Sequence, residues 1–313
     1  MKENLLIALE VVLPLFFCMA LGYGLRRIRL VDRPSLTVMN RLCFKVFLPI
    51  LLFRNIYTTD LKEAFDVKLI GFALAALLIW FLLLMLVIPR IEKEDARRGV
   101  LIQGMFRSNY ALFGLPVATT LCGEGNIGAT SLLLGIVIPF YNVLAVITLE
   151  IFRGGKPDFR KILLGIVKNP LIIASVLGIV FYALGIRLPG PVDKTVLDLS
   201  RVATPLSLVV LGGYFTFSSI AAYRKQLALG VIGKLVVCPL VVLPFAAAMG
   251  FRAEPMVALM IMFGAPIAVS SFTMAQEMDG DGDLAAQLVI FSTFFSILTI
   301  FLLVFILKTL QLL

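Results

Sequence analysis

The sequence predicts an all-α polytopic membrane protein of about ten transmembrane helices, built as two inverted five-helix repeats with broken, crossing helices 4 and 9. Three observations predict it. Hydrophobic residues make up 60% of the 313 residues and charged residues 15%, against roughly 45–50% and about 25% in a soluble domain. Apolar runs of about 20 residues recur, the length that crosses a hydrocarbon core ~30 Å thick at about 1.5 Å per residue. Prolines recur at nearly constant separation between the two halves of the chain.

In the first half the runs lie near Leu5–Leu25, Val38–Tyr57, Val67–Pro89, Arg98–Cys122 and Ile127–Ile151. The first follows the short segment Met1–Asn4 and is long enough to span, unlike a cleavable leader. A basic connector at residues 152–160 separates it from a second half with runs near Lys161–Ile186, Val196–Phe217, Gln226–Met249, Pro255–Glu277 and Leu284–Leu307. Backbone groups in lipid must satisfy one another, and no alternating barrel pattern appears, so the runs read as helices. The expected units are residues 1–151, the cytoplasmic connector 152–160, and residues 161–313.

Loop charge gives the orientation. Arg26, Arg27, Arg29, Arg33 and Arg41 follow the first run; Arg90, Lys93, Arg97 and Arg98 follow the third; Arg153, Lys156, Arg160 and Lys161 follow the fifth; Arg224 and Lys225 follow the seventh. That is fifteen on one face against nine on the other, among them Lys2, Lys62 and Lys194. The richer face is expected in the cytoplasm, leaving both termini extracytoplasmic and the protein multi-pass in the cell membrane. The net charge of +9 is this topogenic bias. The aromatics lie inside apolar runs, away from Lys and Arg, which argues against nucleic acid. The chain has no histidine, which removes His-based zinc sites, Ser-His catalysis and His proton relays. Cys18, Cys43, Cys122 and Cys238 sit in or beside apolar runs without a CxxC and read as small hydrophobes. No metal or cofactor is expected.

Pro14 matches Pro170 and Pro49 matches Pro205, each 156 residues later; Pro116 matches Pro266, 150 later. Phe113-Gly114-Leu115-Pro116-Val117-Ala118 reads against Phe263-Gly264-Ala265-Pro266-Ile267-Ala268. Five spans per half make the second repeat enter from the opposite side. Proline removes a helix hydrogen bond and adjacent glycine weakens the turn. Breaks are therefore expected at Pro116 and Pro266, crossing near the bilayer midplane, where half-helix N-termini present amides and positive dipole ends.

These motifs resemble a known family. Asn40–Phe53 (NRLCFKVFLPILLF) is similar to the second helix of the auxin efflux carrier family, and Arg107–Val117 (RSNYALFGLPV) to its fourth-helix motif. Lys234-Leu235 with Pro239, and Gly264-Ala265-Pro266 through Gln276, resemble its later helices. The resemblance covers essentially the whole chain. It implies ten helices in two inverted repeats, divided into a scaffold part and a transport part, with a fold related to bile-acid symporters and sodium/proton antiporters. It also implies a homodimer. The family holds plant PIN-type auxin carriers and bacterial permeases, including proposed malonate and malate carriers. Plant members carry a long central loop; the connector at 152–160 fits a compact, bacterial-type, PIN-like permease.

Ionisable groups inside spans are costly and default to functional candidates. The cations are Lys45, Arg107, Lys168 and Lys234, and the anion is Glu10. Snorkelling to the headgroups competes as an account of the lysines. Glu10 carries a coupling proton or pairs with a lysine. The excess of cations suits an anionic substrate, with Asn109 as its main side-chain contact. Gly114, Pro116, Gly264 and Pro266 would shape the breaks. Ser270 and Ser271 add hydroxyls, unless these bond back to their own helix. Tyr141 and Asn142 complete the substrate-binding candidates. The expected function is alternating-access secondary transport of a small organic anion, an auxin-like carboxylate or a dicarboxylate, coupled to a proton or sodium ion. The scarcity of carboxylates favours the proton. A passive anion channel is the alternative. Gly280-Asp281-Gly282-Asp283 matches the GxGD string of intramembrane proteases, but it sits in an acidic connector and no apolar span holds a central aspartate to act as its partner.

Overall fold

A computed structural model describes residues 2–58, 66–123, 126–154 and 159–313, and their side chains except those of 2–11, 159, 161–162 and 218–219. Of the charges above, Lys2, Glu10, Lys62, Lys156 and Lys161 lie outside the described side chains.

α1 (Lys2–Arg27) contains Pro14. α2 (Arg33–Leu42) begins where the Asp32 carboxylate accepts the Ser35 amide at 2.8 Å, with proline in the first turn, a side-chain cap. It continues through a π-helical turn, Cys43–Phe47, into α3 (Leu48–Tyr57). α4 (Val67–Ile91) is capped by Asp66, which accepts the amides of Lys68 and Leu69. Then come α5 (Asp95–Phe106), α6 (Tyr110–Cys122) and α7 (Gly128–Ile151).

The second half opens with α8 (Phe159–Lys168) and α9 (Pro170–Ala183), parted at Asn169, which caps α9 by accepting the Leu171 amide at 2.9 Å. α10 (Gly190–Tyr214) and the short α11 (Ser218–Ala222) follow. α12 (Arg224–Ile232) runs through a second π turn, Gly233–Val237, into α13 (Cys238–Ala248). α14 (Ala253–Gly264), α15 (Val269–Glu277) and α16 (Gly282–Thr309) complete the chain.

Among the described residues, six helical stretches are long and apolar enough to cross a membrane: 33–57, 67–91, 128–151, 190–214, 224–248 and 282–309. α4 exposes Leu78, Ile79, Leu82, Leu83 and Leu86 on its outer face, a surface suited to lipid. α7 and α14 bury most of their length and form the centre. α1 packs mainly on α10, and α3 on α9. The first contact is backbone to backbone: a Cβ on Gly22 would stand 1.9 Å from the Val209 carbonyl oxygen, and one on Gly212 1.9 Å from that of Met19. Small residues allow such approach between membrane helices.

Three expectations need correction. The fourth span is interrupted at Arg107–Asn109, and Pro116 lies inside α6. One missing amide inside a helix costs one bond, so the ladder can bridge it where the flanking turns hold. The two FGxPxA strings are therefore not equivalent in place, since one lies within α6 and the other runs from α14 into a break. Arg33 and Arg41, counted as loop residues, belong to α2.

One face gathers the basic segments around the acidic stretch between α15 and α16. Arg41 meets Glu277 at 3.8 Å, Arg153 meets Asp279 at 2.8 Å, Arg97 meets Asp281 at 3.1 Å and Arg33 meets Asp283 at 3.4 Å. Asp281 also caps α16 at the Leu284 amide and accepts the Tyr223 hydroxyl. The GxGD string is thus a structural junction that gathers arginines from α2, α5 and the segment after α7.

Candidate substrate site at the crossing breaks

The site starts from two interruptions. Arg107 leaves the helical region at φ −92°, ψ 114°, and Ala265 at φ −68°, ψ 156°. The second follows from sequence directly, because the residue before a proline is pushed out of the α region. The first has no proline. It is stabilised across the chain: Ser108 and Ile267 form an antiparallel bridge, Asn109 donates its amide to the Pro266 carbonyl at 2.7 Å, and Ala268 donates to the Arg107 carbonyl at 3.4 Å. The Ile267 amide goes to the Ser292 hydroxyl at 3.1 Å. Backbone groups freed inside an apolar protein thus find partners, as they must.

Side chains bind the crossing together. Ser108 donates its hydroxyl proton to the Met262 carbonyl, which also accepts from Tyr141 at 3.0 Å. Arg107 donates through Nη2 to Asn142 Oδ1 at 2.5 Å and through Nη1 to the Met274 sulfur at 2.6 Å. Gln103 donates to the Ser271 carbonyl at 2.9 Å.

Beside the crossing lies a cavity. One wall comes from α3, α9 and α10 through Leu48, Leu52, Asn55, Leu171, Thr204 and Ser207; the other comes from Arg107–Leu112, Tyr141 and Ala268–Ser270. Among the described residues Arg107 is the charged side chain that lines it, and no carboxylate does. A guanidinium carries five donors, and this one meets only neutral partners among the described residues. Among the described residues, the Asn109 Nδ2 and the Ser207 Oγ are buried without hydrogen-bond partners. The first turns of α6 and α15 face the same space, adding amides that have no acceptor within their helices. The wall gathers hydrogen-bond donors and positive potential: one guanidinium, one amide NH2 and two helix N-termini.

On the side of the basic face, α2 and α10 pack against α15. Asn40 donates to the Thr273 carbonyl at 3.3 Å and to Glu277 at 3.2 Å, and Tyr214 packs edge-on against Phe272 with ring centroids 5.2 Å apart.

Of the expected residues, Arg107, Asn109, Tyr141 and Ser270 line the cavity. Asn142 stands behind as the partner of Arg107, and Ser271 is buried in the first turn of α15. Pro266 contributes its carbonyl to the crossing, while Gly264 ends α14 where a Cβ would stand 2.6 Å from the Leu303 side chain. Gly114 packs within α6 against Tyr110 and Thr130, and Pro116 is exposed; neither lines the cavity. Lys45 and Lys168 are exposed, whereas Lys234 is fully buried behind the crossing. Ser108, Asn55 and Ser207 were missed. Ser108 stands between two residues that were singled out, and that was its available signal.

Two interrupted helices bridged at their breaks in an apolar bundle, with polar groups lining a cavity beside them, have the arrangement of a helical membrane transporter. A family model described as membrane transport protein matches residues 7–304, and the chain belongs to that family, the one that includes the auxin efflux carriers. Over 144 residues it is 32% identical to a probable auxin efflux carrier component 5c of Oryza sativa subsp. japonica, a match covering 44% of this chain and 39% of that protein. Over 294 residues it is 25% identical to an uncharacterized transporter of Methanothermobacter thermautotrophicus, covering 93% of this chain and 95% of that one.

Proposed function

We propose that the protein carries a small organic anion across the cell membrane by alternating access, holding it against Arg107 and Asn109 at the crossing breaks. One observation carries the reading: a buried guanidinium and an unpartnered amide share a cavity that no carboxylate lines. A buried charge without a counter-charge is costly, and a bound carboxylate supplies that counter-charge together with acceptors for both groups. The carboxylate class includes auxin-like aryl acids and dicarboxylates. A cavity at the crossing, with helices packed together on the side of the basic face, favours a carrier over a passive channel.

Reciprocal packing supports ten spans in two inverted repeats, residues 1–151 and 161–313. α1 lies on α10 as α9 lies on α3, and α5 meets α16 as α14 meets α7. Exchanging first for sixth, second for seventh, fourth for ninth and fifth for tenth spans maps each pair onto the other. The gathering of basic segments on one face supports a cytoplasmic position for that face, with both termini outside.

Calorimetry on detergent-purified protein tests the reading with indole-3-acetate, benzoate and malonate, each beside its neutral amide. At least one anion should bind and its amide should not. Equal binding of acid and amide, or none by any acid, would sink it.

A further inference from the structure

Lys234 takes no part in the cavity. It is fully buried on the π turn Gly233–Val237, where the Cys238 amide closes on the Gly233 carbonyl. Its ammonium lies 2.5 Å from the Ser108 hydroxyl oxygen and 3.4 Å from the Phe263 carbonyl oxygen. Ser108 accepts from Lys234 and passes its own proton to the Met262 carbonyl. Met262 and Phe263 belong to the last turn of α14, whose final carbonyls lack intrahelical partners and form its negative end.

An ion pair does not account for this lysine. It forms no salt bridge among the described residues. Its positive charge is met by the Ser108 hydroxyl and by the Phe263 carbonyl at the end of a half-helix, with the Met262 carbonyl one hydrogen bond further on. Such oxygens, at the C-terminal end of a discontinuous helix, are those with which transporters of this architecture hold a free sodium ion. Here an ammonium on a four-carbon stem reaches them from the neighbouring span.

We infer that Lys234 is a tethered monovalent cation. It fills the oxygen cluster at the end of α14 that sodium would otherwise occupy, so the crossing carries its own cation and takes none from solution. The inference rests on reading the crossing breaks as the transport site. It deepens that reading by excluding sodium as the ion that completes the site. It also gives the π turn a purpose, because one additional residue offsets α12 from α13 by about 100° relative to a regular helix, and Lys234 stands at that offset.

The test is thermal unfolding of purified protein in sodium chloride, potassium chloride and choline chloride at equal ionic strength, with no organic anion present. Wild type should unfold at one temperature in all three. Lys234→Ala should leave an oxygen-lined vacancy and gain a saturable stabilisation in sodium, about 3 °C or more over choline. Lys234→Ala with Ser108→Ala should lose most of that gain. Sodium-dependent stabilisation of wild type, or indifference of Lys234→Ala to sodium, overturns the inference. Should the single variant fail to purify in choline, recovery in sodium supports the inference and failure in both salts counts against it. Because no organic anion is used and chloride is common to all three salts, its outcome is independent of the calorimetric test of organic-anion binding.

Discussion

The backbone amide of Asn109 is bonded to the carbonyl of Pro266 at 2.7 Å, and through this bond each interrupted helix satisfies the other. The residue that opens α6 is thus placed by a residue more than 150 positions away. Its side chain has no such partner, and its NH2 is left buried beside the cavity.

That asymmetry leads to the first prediction. Asn109→Ala keeps the backbone bond and removes only the unpartnered amide. A hydrogen bond to a charged group contributes roughly 1.5–3 kcal/mol, so anion affinity should fall about ten- to a hundredfold at unchanged unfolding temperature. Calorimetry on size-checked protein decides, and unchanged affinity would shift the main contact to Tyr141 or Ser270.

Arg107 predicts a split between stability and binding. Its charge is buried against an amide oxygen and a sulfur, with no carboxylate. Replacing an uncompensated buried charge with an apolar chain of similar length is often neutral or stabilising. Arg107→Met should hold or raise the unfolding temperature and weaken anion binding at least tenfold. A large loss of stability with affinity intact would make Arg107 structural.

The α1–α10 contact predicts a sharp positional effect. At Gly22 and Gly212 a new Cβ meets a backbone oxygen at 1.9 Å, and no rotamer can relieve it. Overpacking costs typically about 1–3 kcal/mol, and either alanine should lower the unfolding temperature by several degrees. Gly24→Ala, two residues from Gly22 with open space at its Cβ position, should be neutral or mildly stabilising, since alanine favours the helix. Equal effects at Gly22 and Gly24 would refute the close contact.

Glu92 predicts a limb of acid lability. Burial pushes its carboxyl up, but the Glu94 amide, the Gln226 side chain and the Lys93 amide together outweigh this and hold it below the usual range. A carboxylate depressed in the folded state adds stability that is complete above its unfolded pKa, about 4.3, and is lost as pH falls through the folded value. Glu92→Gln should lower stability at neutral pH and flatten its decline below about pH 5. Parallel pH curves for the two proteins would contradict this.

The spans were legible because lipid imposes length and apolarity locally, and α4 follows Asp66 as a capped apolar run should. Arg107 and Asn109 were legible as polar residues in an apolar run. The position of the first break was not. A proline marks where one hydrogen bond is lost, yet it cannot show whether the surrounding helix tolerates that loss, and α6 tolerates Pro116. The actual break depends on Ser108 reaching Met262 and Asn109 reaching Pro266, which are tertiary partners with no signature in local composition. Lys234 carried the opposite ambiguity: a long cationic chain in a span reads equally as snorkelling or burial until its neighbours are in place.

The two π turns make chain length itself a functional variable. Leu48 closes on Cys43 and Cys238 on Gly233, each loop one residue wider than the helix around it. Deleting a single residue from either turn would restore an unbroken α-helical ladder, which is locally the more comfortable conformer. In the second turn it would also rotate α13 by about 100° relative to α12, so that Lys234 could no longer meet Ser108 while α13 keeps its packing on α14. At that place a one-codon deletion makes the helix locally more regular and unseats a buried ammonium.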